Sequence, residues 1–115
     1  MRVILAEKPS VAQSIAAVLG ADQKKNGYLQ GENALVSWCI GHLIELAPPE
    51  IYDARYAKWR REDLPIVPSA WESVVSDGTK KQFAVLKDLL NRTDVDEVVC
   101  ATDAGREGEL IFRMV

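Results

Sequence analysis

Long apolar runs are missing from this sequence. No stretch approaches the roughly 18–20 residues that a membrane-spanning helix needs, and the apolar opening Val3-Ile4-Leu5-Ala6 stops at Glu7, too early for a secretory h-region. Cysteine is scarce: Cys39 and Cys100 lie far apart with no neighbouring ligands, which excludes a disulfide framework and a cysteine-based zinc site. Both read as small buried hydrophobes of a reducing compartment, so a cytoplasmic protein is expected, nucleoid-associated if bacterial. Histidine occurs once, at His42, and no Ser–His–Asp or Cys–His arrangement can be assembled around it. An excess of positive charge is also lacking. With 14 Lys and Arg against 17 Asp and Glu, the net charge of −3 argues against a protein that grips phosphate by bulk charge. Any contact with nucleic acid must run through a metal, a local patch or partner domains. Repeats and low-complexity linkers are absent.

What remains is one domain of 115 residues, 48% hydrophobic and 27% charged, large enough to bury a core. Val3 to Ala6 has the composition of a buried parallel strand. Pro9 and Ser10 then open a helix, Ser10 as N-cap or Pro9 in the first turn. Val11, Ile15, Val18 and Leu19 continue it at helical spacing until Gly20. Tyr28–Gln30 and Ala34–Ile40 flank Gly31-Glu32-Asn33 and predict a β-hairpin, with Gly41-His42-Leu43 closing its second strand. Pro48 to Pro68 is rich in proline, aromatics and charge, an ordered excursion with at most short helical turns. A short strand is expected within Trp71–Val75, then a helix capped near Asp77 or Thr79 and running to about Arg92. Val95–Ala101 predicts a second buried strand, followed by the turn Thr102–Glu109 and a helix still in progress at Val115. Strand, turn, helix at both ends defines an α/β fold. An end inside a helix is the mark of a fragment.

In open parallel sheets, functional groups gather beyond the carboxyl ends of the strands. Glu7 follows the first strand and Asp103 the last, and Glu107 lies one helical turn beyond Asp103. If the strands are neighbours, the three carboxylates converge, repel one another and call for a cation. An oxygen-only set suits Mg²⁺, which can neutralise phosphate oxygens at a phosphodiester. Gly105 and Gly108 are expected to permit a sharp turn and close approach of a ligand. Taken singly, each acid reads as a surface carboxylate; two strand ends carrying them together favour function. Lys8 reads as a phosphate contact, with Ser10 and the helix start supplying donors behind it, or as a solvated lysine. Arg106 reads as a phosphate fork or as the partner of a carboxylate. His42 fits a hydrogen-bonded structural residue better than a catalyst. Arg55, Lys58, Arg60 and Arg61, interleaved with Tyr52, Tyr56 and Trp59, have the spacing of a base-stacking patch. Asp53, Glu62 and Asp63 dilute it toward an ion-paired surface. Tyr28, Tyr52 and Tyr56 have no activating context.

Ala6-Glu7-Lys8-Pro9-Ser10, together with Ala101-Thr102-Asp103-Ala104-Gly105-Arg106-Glu107-Gly108-Glu109, resembles the Toprim domain of type IA DNA topoisomerases, in its topoisomerase III branch. Trp38–Leu43, Tyr56–Trp59 and Leu64–Pro68 are similar to the same branch, so the resemblance covers residues 1–115. It implies a Rossmann-like Toprim fold: a mostly parallel central sheet flanked by helices, with an inserted hairpin and the Pro/aromatic excursion, truncated before its last strand. It implies an Mg²⁺ enzyme that cuts, passes and reseals single DNA strands through a 5′-phosphotyrosine, without ATP. Glu7, Lys8 and Arg106 then take catalytic positions, and Glu7, Asp103 and Glu107 the metal positions. Lys8, Ser10, His42 and Arg106 would meet nucleic acid. Gly105 departs from the family's Asp-x-Asp-x-Glu pattern, which predicts altered metal dependence. The implied partners are single-stranded DNA and further topoisomerase domains, one of which carries the tyrosine, so this chain alone should be inactive. A Toprim nuclease or primase-like module, or a non-catalytic interaction domain, are the competing readings.

Overall fold

The computed structural model describes residues 1–115. The strands are β1 (Arg2–Ala6), β2 (Gln23–Lys25), β3 (Tyr28–Gln30), β4 (Ala34–Trp38), β5 (Ile44–Leu46), β6 (Ser73–Val75) and β7 (Glu97–Ala101). The helices are α1 (Pro9–Leu19), α2 (Pro49–Tyr52), α3 (Lys80–Leu90) and α4 (Arg106–Met114). The main sheet runs β2-β3-β4-β1-β7, and β1 lies between two parallel neighbours. β2, β3 and β4 form an antiparallel meander at one edge, while β7 forms the other.

β1 explains why the sheet sits where it does. Its side chains alternate between two layers, and all of Val3, Ile4, Leu5 and Ala6 are buried. Val3 and Leu5 join Leu35, Leu86, Leu89 and Ile111 on the face covered by α3 and α4. Ile4 and Ala6 join Ala12, Ala16, Leu29 and Val36 on the face covered by α1. The small residues Ala12 and Ala16 let α1 lie close on the sheet. Each fully buried leucine contributes about 1.5–3 kcal/mol. Two polar side chains belong to this core, Ser37 and Gln82: the Gln82 amide donates to the Trp38 carbonyl at 2.8 Å and to the Gly27 carbonyl and Ser37 Oγ at 3.1 Å, and the Ser37 hydroxyl donates to the Gly27 carbonyl at 2.7 Å. This keys α3 to the end of β4, and every buried polar side-chain atom finds a partner.

The helix starts differ in detail from expectation. Lys8, with extended backbone, is the N-cap of α1 and Pro9 its first residue, so Ser10 lies inside the first turn and does not cap. Gly20 ends α1 in the left-handed conformation at φ 68°. Asp77–Thr79 form a 3₁₀ turn before α3.

The segment between β5 and β6 contributes to neither core cluster. Its ends are tied by the β5–β6 ladder, by Ala47 N–H to the Glu72 carbonyl at 2.8 Å, and by Glu72 N–H to Tyr52 Oη at 2.8 Å. Between these ties run α2 and two 3₁₀ turns, Ala54–Ala57 and Arg61–Asp63, as the excursion was expected to do. Trp59 is 77% and Trp71 64% exposed. The molecule is therefore a body and an arm, 57 Å in its longest dimension against 27 and 22 Å in the others. Its radius of gyration, 17.3 Å, exceeds the roughly 13 Å of a compact domain of this size. No helix is long and apolar enough to cross a membrane.

Candidate metal and phosphate site

β4, β1 and β7 run parallel, so all three deliver their following residues to one rim of the sheet. Ala6 is in register with both Trp38 and Ala101. Glu7 therefore leaves β1 beside the Thr102-Asp103 exit of β7. On the other side, Cys39 N–H extends the ladder to the Ala6 carbonyl at 2.9 Å, and Gly41, at φ 58°, turns the chain to present His42. A cavity of about 630 Å³ opens at this rim, lined by Glu7, His42, residues 103–108 and Leu110. The strands carrying Glu7 and Asp103 are neighbours, as convergence required.

The carboxylates are held in different ways. Glu7 Oε2 accepts the Asp103 N–H at 3.1 Å, so a backbone amide joins the two strand exits. Glu107, in the first turn of α4, meets His42 Nε2 at 3.2 Å. An acid there is favoured by the helix dipole. The 102–108 loop is closed by Thr102 Oγ1, which donates to the Gly108 carbonyl at 2.9 Å, and by Gly105 N–H to the Asp103 carbonyl at 2.9 Å.

Only one of the two glycines is needed for close approach. A Cβ on Gly108 would stand 2.0 Å from the Asp103 carbonyl oxygen, so the loop closes only over a residue without a side chain. Gly105 is ordinary extended backbone at φ −161°, and a Cβ there meets nothing within 4 Å. The expectation that Gly105 serves a special turn is corrected: any residue fits that backbone.

Neither Glu7 nor Asp103 forms a salt bridge, whereas Glu109 is occupied by Arg113 at 2.8 Å. Arg106 lines the cavity without an ion-pair partner. Cys39 lies fully buried beneath the rim, as expected; Cys100, also expected to be buried, is exposed because β7 is the edge of the sheet. Burial first, then the Glu7 carboxylate and Cys100, push the Cys39 thiol up to about 11, so it supplies no thiolate at neutral pH.

The Toprim domain profile matches residues 2–114. The chain belongs to the Toprim family. It is 54% identical to DNA topoisomerase 3 of Shouchella clausii over 114 residues, 99% of this chain and 16% of that protein. With DNA topoisomerase 3 of Bacillus anthracis it shares 53% identity, and with that of Bacillus subtilis 51%, each over 113 residues, 98% of this chain and 16% of the relative. The chain thus spans about a sixth of the length of these relatives.

In this Toprim domain, Glu7, Asp103, Glu107, Arg106 and His42 share the cavity. Lys8 and Ser10 do not line it: Lys8 sits at the start of α1, directly after Glu7, and Ser10 within the first turn of the helix, its carbonyl accepting the Ser14 hydroxyl at 3.2 Å. The basic cluster of the arm is partly neutralised, Arg55 by Asp53 at 3.5 Å and Arg60 by Asp63 at 3.0 Å, with Arg55 also stacked on Tyr56. Thr102 escaped the sequence reading. Its signal was a hydroxyl residue at a strand exit, immediately ahead of an acid and six residues before a glycine.

The donors at the cavity are those of a hard cation such as Mg²⁺. Three carboxylates, and no thiolate, border the cavity, which matches a hard cation. No three of the acidic, histidine or cysteine side chains are drawn together tightly enough to enclose an ion. Mg²⁺ commonly keeps several waters and takes one or two carboxylates, so the residues fit an open, hydrated site and not a closed cage.

Proposed function

We propose that this Toprim domain is the Mg²⁺-handling, phosphate-positioning part, residues 1–115, of a type IA DNA topoisomerase of the topoisomerase III kind. The observation that carries the reading is the rim itself. Two acids on adjacent parallel strand ends, and a third on the following helix, face one cavity with no internal cation neutralising the first two. Glu7, Asp103 and Glu107 are the groups to hold Mg²⁺, which when bound would neutralise the oxygens of a scissile phosphodiester.

The chain's own residues supply the rest. Glu7, fixed by the Asp103 amide, is positioned to carry a proton to or from the 3′ oxygen at the break. Arg106 offers a planar fork to a phosphate, and Lys8 a point charge beside Glu7. His42 keeps Glu107 at the cavity wall and presents its ring to the strand. Ser10, inside α1, serves this role least. No tyrosine lines the cavity, so the nucleophile of strand cleavage comes from another domain of the enzyme, with single-stranded DNA laid between.

The test is a Mg²⁺ titration of the chain followed by backbone amide NMR, alongside Glu7→Gln. Shifts clustering at Glu7 and residues 103–109, and weakening in the variant, support the reading. Their absence at millimolar Mg²⁺ argues for an interaction domain whose acids only solvate strand ends. The isolated chain should leave supercoiled plasmid unrelaxed, and relaxation by it would overturn the assignment of the nucleophile.

A further inference from the structure

We infer that Thr102 is a positioning residue for the acidic site, its hydroxyl setting the backbone amide that holds Glu7. The inference rests on reading Glu7 and Asp103 as the Mg²⁺-handling acids.

Thr102 is the first residue beyond β7, and its hydroxyl reaches across the loop to the Gly108 carbonyl at 2.9 Å. That bond draws the first turn of α4 against the strand exit. The Asp103 peptide is thereby pressed on the bare Cα of Gly108, where even a methyl group would not fit. Held there, the Asp103 N–H points to Glu7 Oε2 at 3.1 Å, while its carbonyl takes the Gly105 N–H at 2.9 Å. The two peptide groups flanking the Asp103 Cα are thus both fixed, and the hydroxyl is the side-chain group that closes the loop. Cys100 adds a prop: its sulfur lies 3.2 Å from Thr102 Oγ1. The hydroxyl hydrogen is already committed to Gly108, so the thiol donates and orients the latch. Hydrogen-bonded partners of ligating groups fix their direction, and removing one commonly costs roughly ten- to a hundredfold in metal affinity.

Two substitutions separate the hydroxyl from the bulk of the side chain. Thr102→Val keeps the shape and removes the hydrogen bond; Thr102→Ser keeps the hydrogen bond and removes the methyl. Asp103 amide exchange is followed by NMR without metal, and Mg²⁺ affinity by titration with the metal alone. Thr102→Val should speed Asp103 exchange about tenfold, the equivalent of one modest hydrogen bond, and weaken Mg²⁺ roughly ten- to a hundredfold. Thr102→Ser should restore both to within about threefold of the parent. Parent-like exchange in Thr102→Val, or equal losses in both variants, would overturn the inference, the latter by making the methyl group the cause. If Thr102→Val does not fold, the parent decides: a slowly exchanging Thr102 hydroxyl proton with a cross-peak to the Asp103 amide is expected, and its absence is fatal. A parent that binds no Mg²⁺ sinks the proposed function, while the exchange measurement still judges the latch.

Discussion

The two rims of the same sheet carry comparable numbers of acids and treat them in opposite ways. At the amino-terminal rim, the Met1 ammonium meets Asp96 at 3.0 Å, Arg2 meets Glu97 at 3.1 Å and Arg92 clasps Asp94 at 2.9 and 2.6 Å. Each of these three acids has a cation from the chain itself. At the carboxyl rim, Glu7 is met by a peptide N–H, Glu107 by His42, and Asp103 by no cation. Internal pairing at one rim makes a closed surface of modest energetic weight. Its absence at the other leaves negative charge to be met from outside. The contrast distinguishes acids that finish a fold from acids that await a ligand.

The largest effect is expected from breaking the geometry of the carboxyl rim. Gly108→Ala places a methyl group on the Asp103 carbonyl and should cost about 2 kcal/mol or more of stability, the scale of overpacking. Gly105→Ala, three residues away, meets open space and should cost less than about 1 kcal/mol, the scale of a poorer helix cap. Urea unfolding of the pair measures the difference, and equal losses would contradict the loop geometry. A smaller effect, but one that sharpens the contrast, is expected from Gly105→Asp. It adds a carboxylate at an unobstructed position and should tighten Mg²⁺ several-fold by titration. Unchanged or weaker binding would show that position 105 does not face the ion.

The smallest effect belongs to the paired rim. The Arg92 guanidinium, hydrogen-bonded to Asp94, holds its carboxyl below the usual 3.8. The terminal ammonium does the same for Asp96. Because the folded-state values are lowered, their contribution is present above the ordinary carboxylate range and is lost as pH falls through the lowered values. Both side chains are exposed, so the loss should be slight. A urea midpoint followed downward from about pH 4 should fall less steeply in Asp94→Asn than in the parent, and identical slopes would remove Asp94 from the account.

Much of this was legible in residue order, because it rests on local patterns. Val3–Ala6 and Val95–Ala101 read as buried strands, and Glu7 and Asp103 fall just beyond them, so the position of the site follows from topology alone. Burial holds for β1, but β7 starts at Glu97 and, as an edge strand, is largely exposed. The hairpin of β3 and β4 showed in its Gly-Glu-Asn turn. β2 was missed because Gln23-Lys24-Lys25 is wholly exposed and has no apolar face to announce a strand. β5 was missed as well: the expected hairpin closed at Gly41-His42-Leu43, one residue before Ile44. Its partner β6 lies nearly thirty residues away, a pairing made by main-chain bonds that no side chain encodes. The glycines were misjudged for a related reason. Gly105 and Gly108 look equivalent in sequence, and only the packed Asp103 carbonyl makes one indispensable. His42 could not be given its partner, since Glu107 comes from an element sixty-five residues on.

The arm decides what light can report about this molecule. Of the three tryptophans, Trp59 and Trp71 stand on it in water, and only Trp38 belongs to the sheet. Intrinsic fluorescence is thus weighted toward a segment that shares no core with the acidic rim, while far-ultraviolet dichroism follows the sheet and its helices. Coincidence of two such signals is the usual warrant for all-or-none unfolding. Here a disagreement between them would record the arm loosening ahead of the body, and a Trp38-only variant is the emission probe that reads the body.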